Sequence, residues 1–382
     1  MRVLSMAAPA SGMYLPAVPL AWALRAAGHE VLMANNGPAA AAIARAGLPV
    51  VDACPDRDLF AEFVAVGAQA RKDGTPPGTN LGLFGEAMLE DLLRHAESFK
   101  PDVIVSTLEQ GAGPIVAAAL GVPLLEQSVR LAWAGPDRQA RDFRAGIAAR
   151  LWPLRVRLGL PVPAEAVAFL DVRPKSLGGH DGPGAWPMRY VPYNHGLVLP
   201  EWLAAPPQRP RIGVTLGSFL AGAAGAQLRE LIGVLAEFDA EVVLALGEVD
   251  LSEIGPLPPN VRSAGWVPLD SLLPSCAAVV HHGGSGTTFA ALTAGVPQVV
   301  LPRGADQPAN AAVVARRGTG VALDPRTADA STLRAAVRGA LDDGALRAAA
   351  AEVAAEIAAQ PAPSAVAERV ADLASSRLAV AG

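Results

Sequence analysis

Residues 279–323, VVHHGGSGTTFAALTAGVPQVVLPRGADQPANAAVVARRGTGVAL, bring histidines, glycines, hydroxyls, an acid and an amide into one short segment. Val279 and Val280 close an apolar strand, His281 and His282 stand at its carboxyl end, and Gly283, Gly284 and Gly286 turn directly into a helix. The chemistry this suits is anion binding. The N–H groups of Ser285, Gly286 and Thr287 have no acceptor inside the helix, and they aim with its dipole at the same point. The Ser and Thr hydroxyls would assist, and the glycines let a bulky diphosphate approach the backbone. No G-x-x-x-x-G-K-[ST] is present, and GAGPIVAAALG from Gly111 lacks the third glycine of a dinucleotide turn, so an ATP-hydrolysing loop and a dehydrogenase are disfavoured. Asp306 and Gln307 follow the next strand, where an acid and an amide suit sugar hydroxyls or simply cap a helix.

A second turn, APASGMYLP at residues 8–16, has the position of a reactive loop without its chemistry. It offers Gly12, Met13 and Tyr14, and a thioether is no use as a proton acceptor. Glu109 in LEQGAG and Asp137 in the loop after Trp133 are the carboxylates placed to act as a base, and each also reads as a solvated or capping group. Asp56 and Asp58 formally spell D-x-D, but in a loop of the first half, so no metal is expected there.

The elements that must position these residues follow a βα alternation. MRVLSMA, EVLMA, PDVIVST and PLLEQ read as strands separated by helices, and the pattern restarts with RIGVTLGS, AEVVLALG, AAVVHHGG and VPQVVLP. Such alternation builds parallel sheets covered by helices on both faces. LPEWLAAPPQRP is Pro-rich, as an interdomain connection is. The expected organisation is a domain over 1–198, a linker over 199–210, a second domain over 211–363 and a C-terminal helix over 364–382 that packs back on the first. Two doubly wound halves imply a cleft, with ligands at the carboxyl ends of the strands.

Composition narrows the class. The chain has 382 residues, 51% hydrophobic and 18% charged, with a net charge of −5. Its apolar stretches are too short for a membrane span and its start lacks a signal-peptide pattern, so a soluble, cytoplasmic protein is expected. Basic residues are dispersed, which argues against nucleic acid as a partner. Cys54 and Cys276 form no metal or redox motif.

With His-Gly-Gly-x-Gly-Thr, Ala-Gly-Val-Pro and Asp-Gln-x-x-Asn in one block, preceded by Gly-Trp-x-Pro, the chain resembles the family-1 nucleotide-sugar glycosyltransferases of the GT-B fold that decorate polyketides and other natural products. The resemblance implies two Rossmann-like domains facing each other across a cleft. It implies that His282 and Ser218, with Gly284, Ser285, Gly286 and Thr287, contact the donor diphosphate. Trp266 would stack on the base, Val267 would bond its edge through the backbone, and Asp306 with Gln307 would hold the sugar. It also implies an inverting, metal-independent transfer from a dTDP- or UDP-sugar substrate, with no cofactor, to a small-molecule aglycone.

Most members of that family carry a histidine in the first turn to deprotonate the acceptor, and Met13 stands at its place. Three explanations are open: a carboxylate base such as Glu109 or Asp137, a phenolic acceptor that ionises unaided and attacks through oxygen or carbon, or dependence on an auxiliary protein. The siderophore and angucycline C-glycosyltransferases also lack the histidine, and YVPYN and GADQPAN resemble the siderophore ones. A UDP-sugar epimerase or a non-catalytic sugar-nucleotide-binding protein is the alternative of another class. Monomer and homodimer are both open.

Overall fold

A computed structural model of the chain describes residues 1–73, 78–217 and 225–381. Among them the chain divides into two compact units, one of 1–173, 178–189 and 360–382, the other of 174–177 and 190–359.

The first unit holds a parallel sheet of β1 (Arg2–Met6), β2 (Glu30–Asn35), β3 (Val50–Asp52), β4 (Val103–Thr107), β5 (Leu124–Gln127), β6 (Ala168–Asp171) and β7 (Ala185–Pro187). The spatial order is β3-β2-β1-β4-β5-β6-β7. β1 sits between β2 and β4, with Leu4 opposite Leu32 and Ile104, so the order reverses beside the turn that follows β1. Helix Pro363–Ala381 belongs to this unit and packs on helix Val18–Ala26, burying Val366, Ala367 and Val370. Arg369 lies 4.0 Å over the Trp186 ring, and the Arg189 N–H donates to the Pro361 carbonyl at 2.8 Å.

The second unit repeats the plan with β8 (Arg211–Thr215), β9 (Glu241–Leu244), β10 (Val261–Ser263), β11 (Ala278–His281), β12 (Gln298–Val300) and β13 (Gly320–Ala322), ordered β10-β9-β8-β11-β12-β13. All strands are parallel, and β8 and β11 are buried along their whole length. Strands covered on both faces are expected to be apolar throughout, as IGVT and AVV are. The order reverses between β8 and β11, and this switch point is where an open α/β sheet presents a crevice.

The Pro-rich segment 199–210 lies inside the second unit, and the chain changes unit at 173/174, 177/178, 189/190 and 359/360. Its short helix Glu201–Ala204 buries Leu203 in a cluster with Val243, Ala245, Val267 and Leu272, while Arg211 and Arg262 flank the Trp202 ring. Proline-rich composition describes a strap laid on a domain as well as it describes a connector. Among the described residues no helix is long and apolar enough to cross a membrane.

Candidate functional site

In the second unit the sequence-predicted donor residues gather at the carboxyl edge of the sheet. The two adjacent histidines part company at the end of β11. His281 is fully buried: its Nε2–H donates to Gln298 Oε1 at 2.9 Å, and its Nδ1 accepts the Gly283 N–H at 3.1 Å. Both nitrogens are spent on shaping the turn. Burial, with the neighbouring His282 adding to it, pushes the His281 pKa down to about 3, so the ring is neutral and carries its proton on Nε2.

His282 occupies a slot made by missing side chains. A β-carbon added at Gly217 would lie 2.6 Å from its Nε2, and one at Gly284 only 2.5 Å away. Gly217 also has φ +74°, a left-handed conformation that favours glycine. Nδ1 of His282 is buried with no partner among the described residues. Burial lowers this pKa as well and the Arg303 charge pushes the same way, against the Thr215 carbonyl and the Asp306 carboxylate, which favour the charged form. The imidazole that faces the site is therefore neutral.

Helix Ser285–Thr293 starts immediately after it, with Gly284 at the N-cap position and no side-chain cap. Its first intrahelical bond runs from the Thr288 N–H to the Gly284 carbonyl at 2.9 Å, and the N–H groups of Gly286 and Thr287 have no acceptor within the helix. The Ser285 hydroxyl does not point its proton at the expected anion. It donates to Asp306 Oδ2 at 2.8 Å.

Asp306 and Gln307 stand after β12, at the start of helix Gln307–Arg317. Gln307 Oε1 accepts from the Arg303 and Gly304 N–H groups at 2.8 and 3.2 Å, which leaves its NH₂ as the end that can meet a sugar hydroxyl. Asn310, one turn into that helix, has no role that the sequence alone assigns. Its Nδ2 donates to the Gly283 carbonyl at 2.8 Å, Ser285 Oγ at 3.1 Å and Asp306 Oδ2 at 3.2 Å. It ties the glycine turn to the loop that carries Asp306. Its one signal in the sequence is its place in the Asp-Gln-x-x-Asn pattern. Tyr190 escapes sequence reasoning too: buried, it stacks on Phe289 of helix Ser285–Thr293 at 4.6 Å.

Trp266 lies at the same edge, beyond β10, and is 50% exposed. A core tryptophan would be covered. The Gly247 N–H to Gly265 carbonyl bond, 3.0 Å, fixes the turn beneath it, and neither the N–H nor the C=O of Val267 is paired with backbone among the described residues. Ser218 lies outside the described residues.

In the first unit Met13 belongs to the main apolar cluster, with Phe84, Met88, Ile147 and Leu151, and is 9% exposed. Tyr14 is buried beside it, which raises its phenol pKa, while Gly12 is exposed, with no atom within 4 Å of where a β-carbon would stand. Glu109 is 3% exposed at the end of β4, its Oε1 accepting from Arg130 Nε at 2.6 Å. Asp137 stands before helix Arg138–Arg157 and is fully engaged: Oδ2 accepts from the Ala134 N–H at 2.9 Å and from Arg173 Nη1 at 3.0 Å, and Oδ1 lies 3.3 Å from His180 Nε2. Asp171 bonds the same Arg173 and His180, so Asp137 is part of an ion network. The Asp58 carboxylate of D-x-D accepts from the Ala61 N–H at 3.0 Å and caps a helix.

Family models described as the N-terminal and C-terminal domains of Erythromycin biosynthesis protein CIII-like proteins match residues 22–217 and 229–373. The chain is 43% identical to the elloramycin glycosyltransferase ElmGT of Streptomyces olivaceus over 97% of each chain. It is 37% identical to an L-demethylnoviosyl transferase of Streptomyces niveus, over 97% of this chain and 98% of that one. Among solved structures it is similar to the glycosyltransferase SnogD of Streptomyces nogalater, with 39% identity, TM-score 0.83 and coverage of 98% and 99%. The glycosyltransferase SsfS6 of Streptomyces sp. SF2575, complexed with thymidine diphosphate, matches at 31% identity and TM-score 0.79 over 97% and 99%. With two parallel-sheet α/β domains and these relatives, the chain belongs to the EryCIII-like family and is a GT-B, family-1 glycosyltransferase of natural products.

Proposed function

We propose that this enzyme transfers a sugar, with inversion and without a metal, from a dTDP- or UDP-sugar to a phenolic or polyketide-type aglycone. The observation that carries the donor half is the uncapped start of helix Ser285–Thr293, with neutral His282 wedged between Gly217 and Gly284. The diphosphate takes the amides of Ser285, Gly286 and Thr287 and a hydrogen bond from the His282 ring. Three inter-strand steps separate β10 from β11, about 14 Å, so a base on Trp266 and a diphosphate at His282 are the two ends of one nucleotide. The sugar then meets Asp306 and the Gln307 NH₂. Thymidine diphosphate in the SsfS6 structure supports this donor class.

In the transfer, a nucleophilic atom of the acceptor attacks the anomeric carbon while the carbon–oxygen bond to the diphosphate breaks, and the helix amides and His282 stabilise the charge that leaves. The acceptor's proton is the harder question. Met13 is buried among apolar side chains, Glu109 Oε1 is bonded to Arg130, and Asp137 is bound to Arg173 and His180. These pairings favour an acceptor that ionises by itself, as a phenol does, and such an anion attacks through oxygen or through its ortho or para carbon. The reading with a carboxylate base keeps Glu109 as its residue, because Glu109 faces a recess in the first unit and Asp137 does not.

The test is turnover of a dTDP- or UDP-hexose with a phenolic aglycone by the purified enzyme in EDTA. Nucleotide release that requires the aglycone supports transfer, and release without it refutes it. Acid treatment separates an O-glycoside, which hydrolyses, from a C-glycoside, which survives. Activity restored only by an added auxiliary protein would replace the self-ionising acceptor. Glu109→Gln should leave a phenol's rate within a few-fold, whereas a base would cost about 100-fold or more.

A further inference from the structure

Three aromatic rings of the second unit meet at Trp266, the proposed platform for the donor base. The His195 imidazole lies 6.0 Å from the Trp266 ring, centroid to centroid, with the two planes tilted by 45°. The Tyr193 ring meets the same imidazole edge to face, at 5.5 Å and 68°. Both separations fall in the range of attractive aromatic pairs. The Gly247 backbone also approaches the indole: a β-carbon added there would stand 3.7 Å from Trp266 Cε3. Tyr193 and His195 are half-buried and Trp266 is half exposed. Core packing therefore does not fix the indole, and its orientation depends on these neighbours.

The backbone at His195 is strained. Its φ is +65°, in the left-handed region where a β-carbon crowds the following carbonyl. Among the described residues Lys100 and Ala305 are the other non-glycine residues with positive φ. Lys100 closes helix Gly82–Phe99, a common place for that conformation, whereas the chain around His195 forms no helix. Glycine would adopt this conformation freely. Backbone outliers of this kind gather at ligand clamps, so the strain points to a role for the imidazole.

We propose that His195 is a positioning residue for the donor base: braced by Tyr193, its ring holds the Trp266 indole in the orientation on which a pyrimidine stacks. A half-exposed indole without that neighbour samples several rotamers, and binding must then select one of them. The brace sets the indole before the nucleotide arrives. Its effect falls on affinity for the base and leaves the diphosphate end untouched. The inference rests on the reading of Trp266 as the base platform and adds the residue that orients it.

Calorimetry on the full-length enzyme compares thymidine diphosphate with inorganic pyrophosphate, the latter titrated as a competitor. His195→Ala should weaken thymidine diphosphate about three- to tenfold, the loss expected for one aromatic contact, and leave pyrophosphate unchanged. His195→Phe keeps a ring at that position and should bind thymidine diphosphate within about twofold of the wild type. In a Trp266→Ala background His195→Ala should cost less than about twofold more, because its effect runs through the indole. Equal losses for both ligands, a loss in His195→Phe as large as in His195→Ala, or fully additive losses in the double variant would overturn the proposal. If Trp266→Ala leaves thymidine diphosphate affinity unchanged, the base platform itself is refuted and the brace with it. If Trp266→Ala weakens it and His195→Ala does not, the brace alone is refuted. Melting of each variant, together with its pyrophosphate affinity, separates these outcomes from misfolding.

Discussion

Lowering the pH from 7.5 to 5 should destabilise the protein by about 2 kcal/mol through His281 alone. The ring is fully buried, bonded at both nitrogens, and held neutral with a pKa of about 3, against about 6.5 for an unfolded histidine. Between those two values the unfolded chain takes up a proton that the folded one refuses, so stability falls as the pH drops through 6.5 and the loss is complete only near 3. At pH 5 the unfolded histidine is almost wholly protonated and the folded one almost wholly neutral, which gives the figure of about 2 kcal/mol. His281→Asn keeps an acceptor near the Nδ1 position for the Gly283 N–H and gives up the bond to Gln298. It should be less stable at pH 7.5, by about 1 kcal/mol, and have a shallower acid slope. Denaturant unfolding of both proteins at half-unit pH steps measures this directly. Parallel profiles over pH 5–7.5 would refute the assignment of His281 as a neutral structural group.

Gly284→Ala places a β-carbon 2.5 Å from His282 Nε2, so the ring must leave its slot; the fold should survive while nucleotide affinity drops at least about tenfold by calorimetry. Asn310→Ala removes three hydrogen bonds that join Gly283, Ser285 and Asp306, and should lower stability by about 1–3 kcal/mol and raise the KM for the donor sugar, read by melting and steady-state kinetics. Trp266→Ala should weaken thymidine diphosphate by about 1–3 kcal/mol with melting unchanged, because the ring is half exposed and its loss leaves no cavity.

The fold was legible because its strands are buried on both faces and so announce themselves as short apolar runs, as in AVV of β11 and IGV of β8. The glycine turn into helix Ser285–Thr293 was legible for a similar reason: three glycines at a strand-to-helix junction mark a tight turn. Other features depend on groups far apart in the chain. Asp137 reads as a candidate base until Arg173 and His180 are seen on it, 36 and 43 positions further along. The Ser285 hydroxyl faces the expected ligand only until Asp306 claims it, and Asn310 gains its importance from the same contact. Nothing in the local pattern of APASGMYLP says that Met13 turns into the core. The two histidines show the boundary clearly, since identical neighbours take opposite roles once the strand sends one inward, to Gln298, and the next between two glycines.

The central claim is that His282 and the adjoining helix start hold the donor diphosphate. Calorimetric titration with a dTDP-hexose, whose esterified diphosphate keeps one charge state from pH 6 to 8, tests it with the wild type and His282→Gln. Bound phosphate charge should raise the depressed His282 pKa, so wild-type affinity should increase as the pH falls across this range. His282→Gln should bind at least about tenfold more weakly at pH 6 and lose that pH dependence. Equal affinity and equal pH slopes in the two proteins would contradict the account.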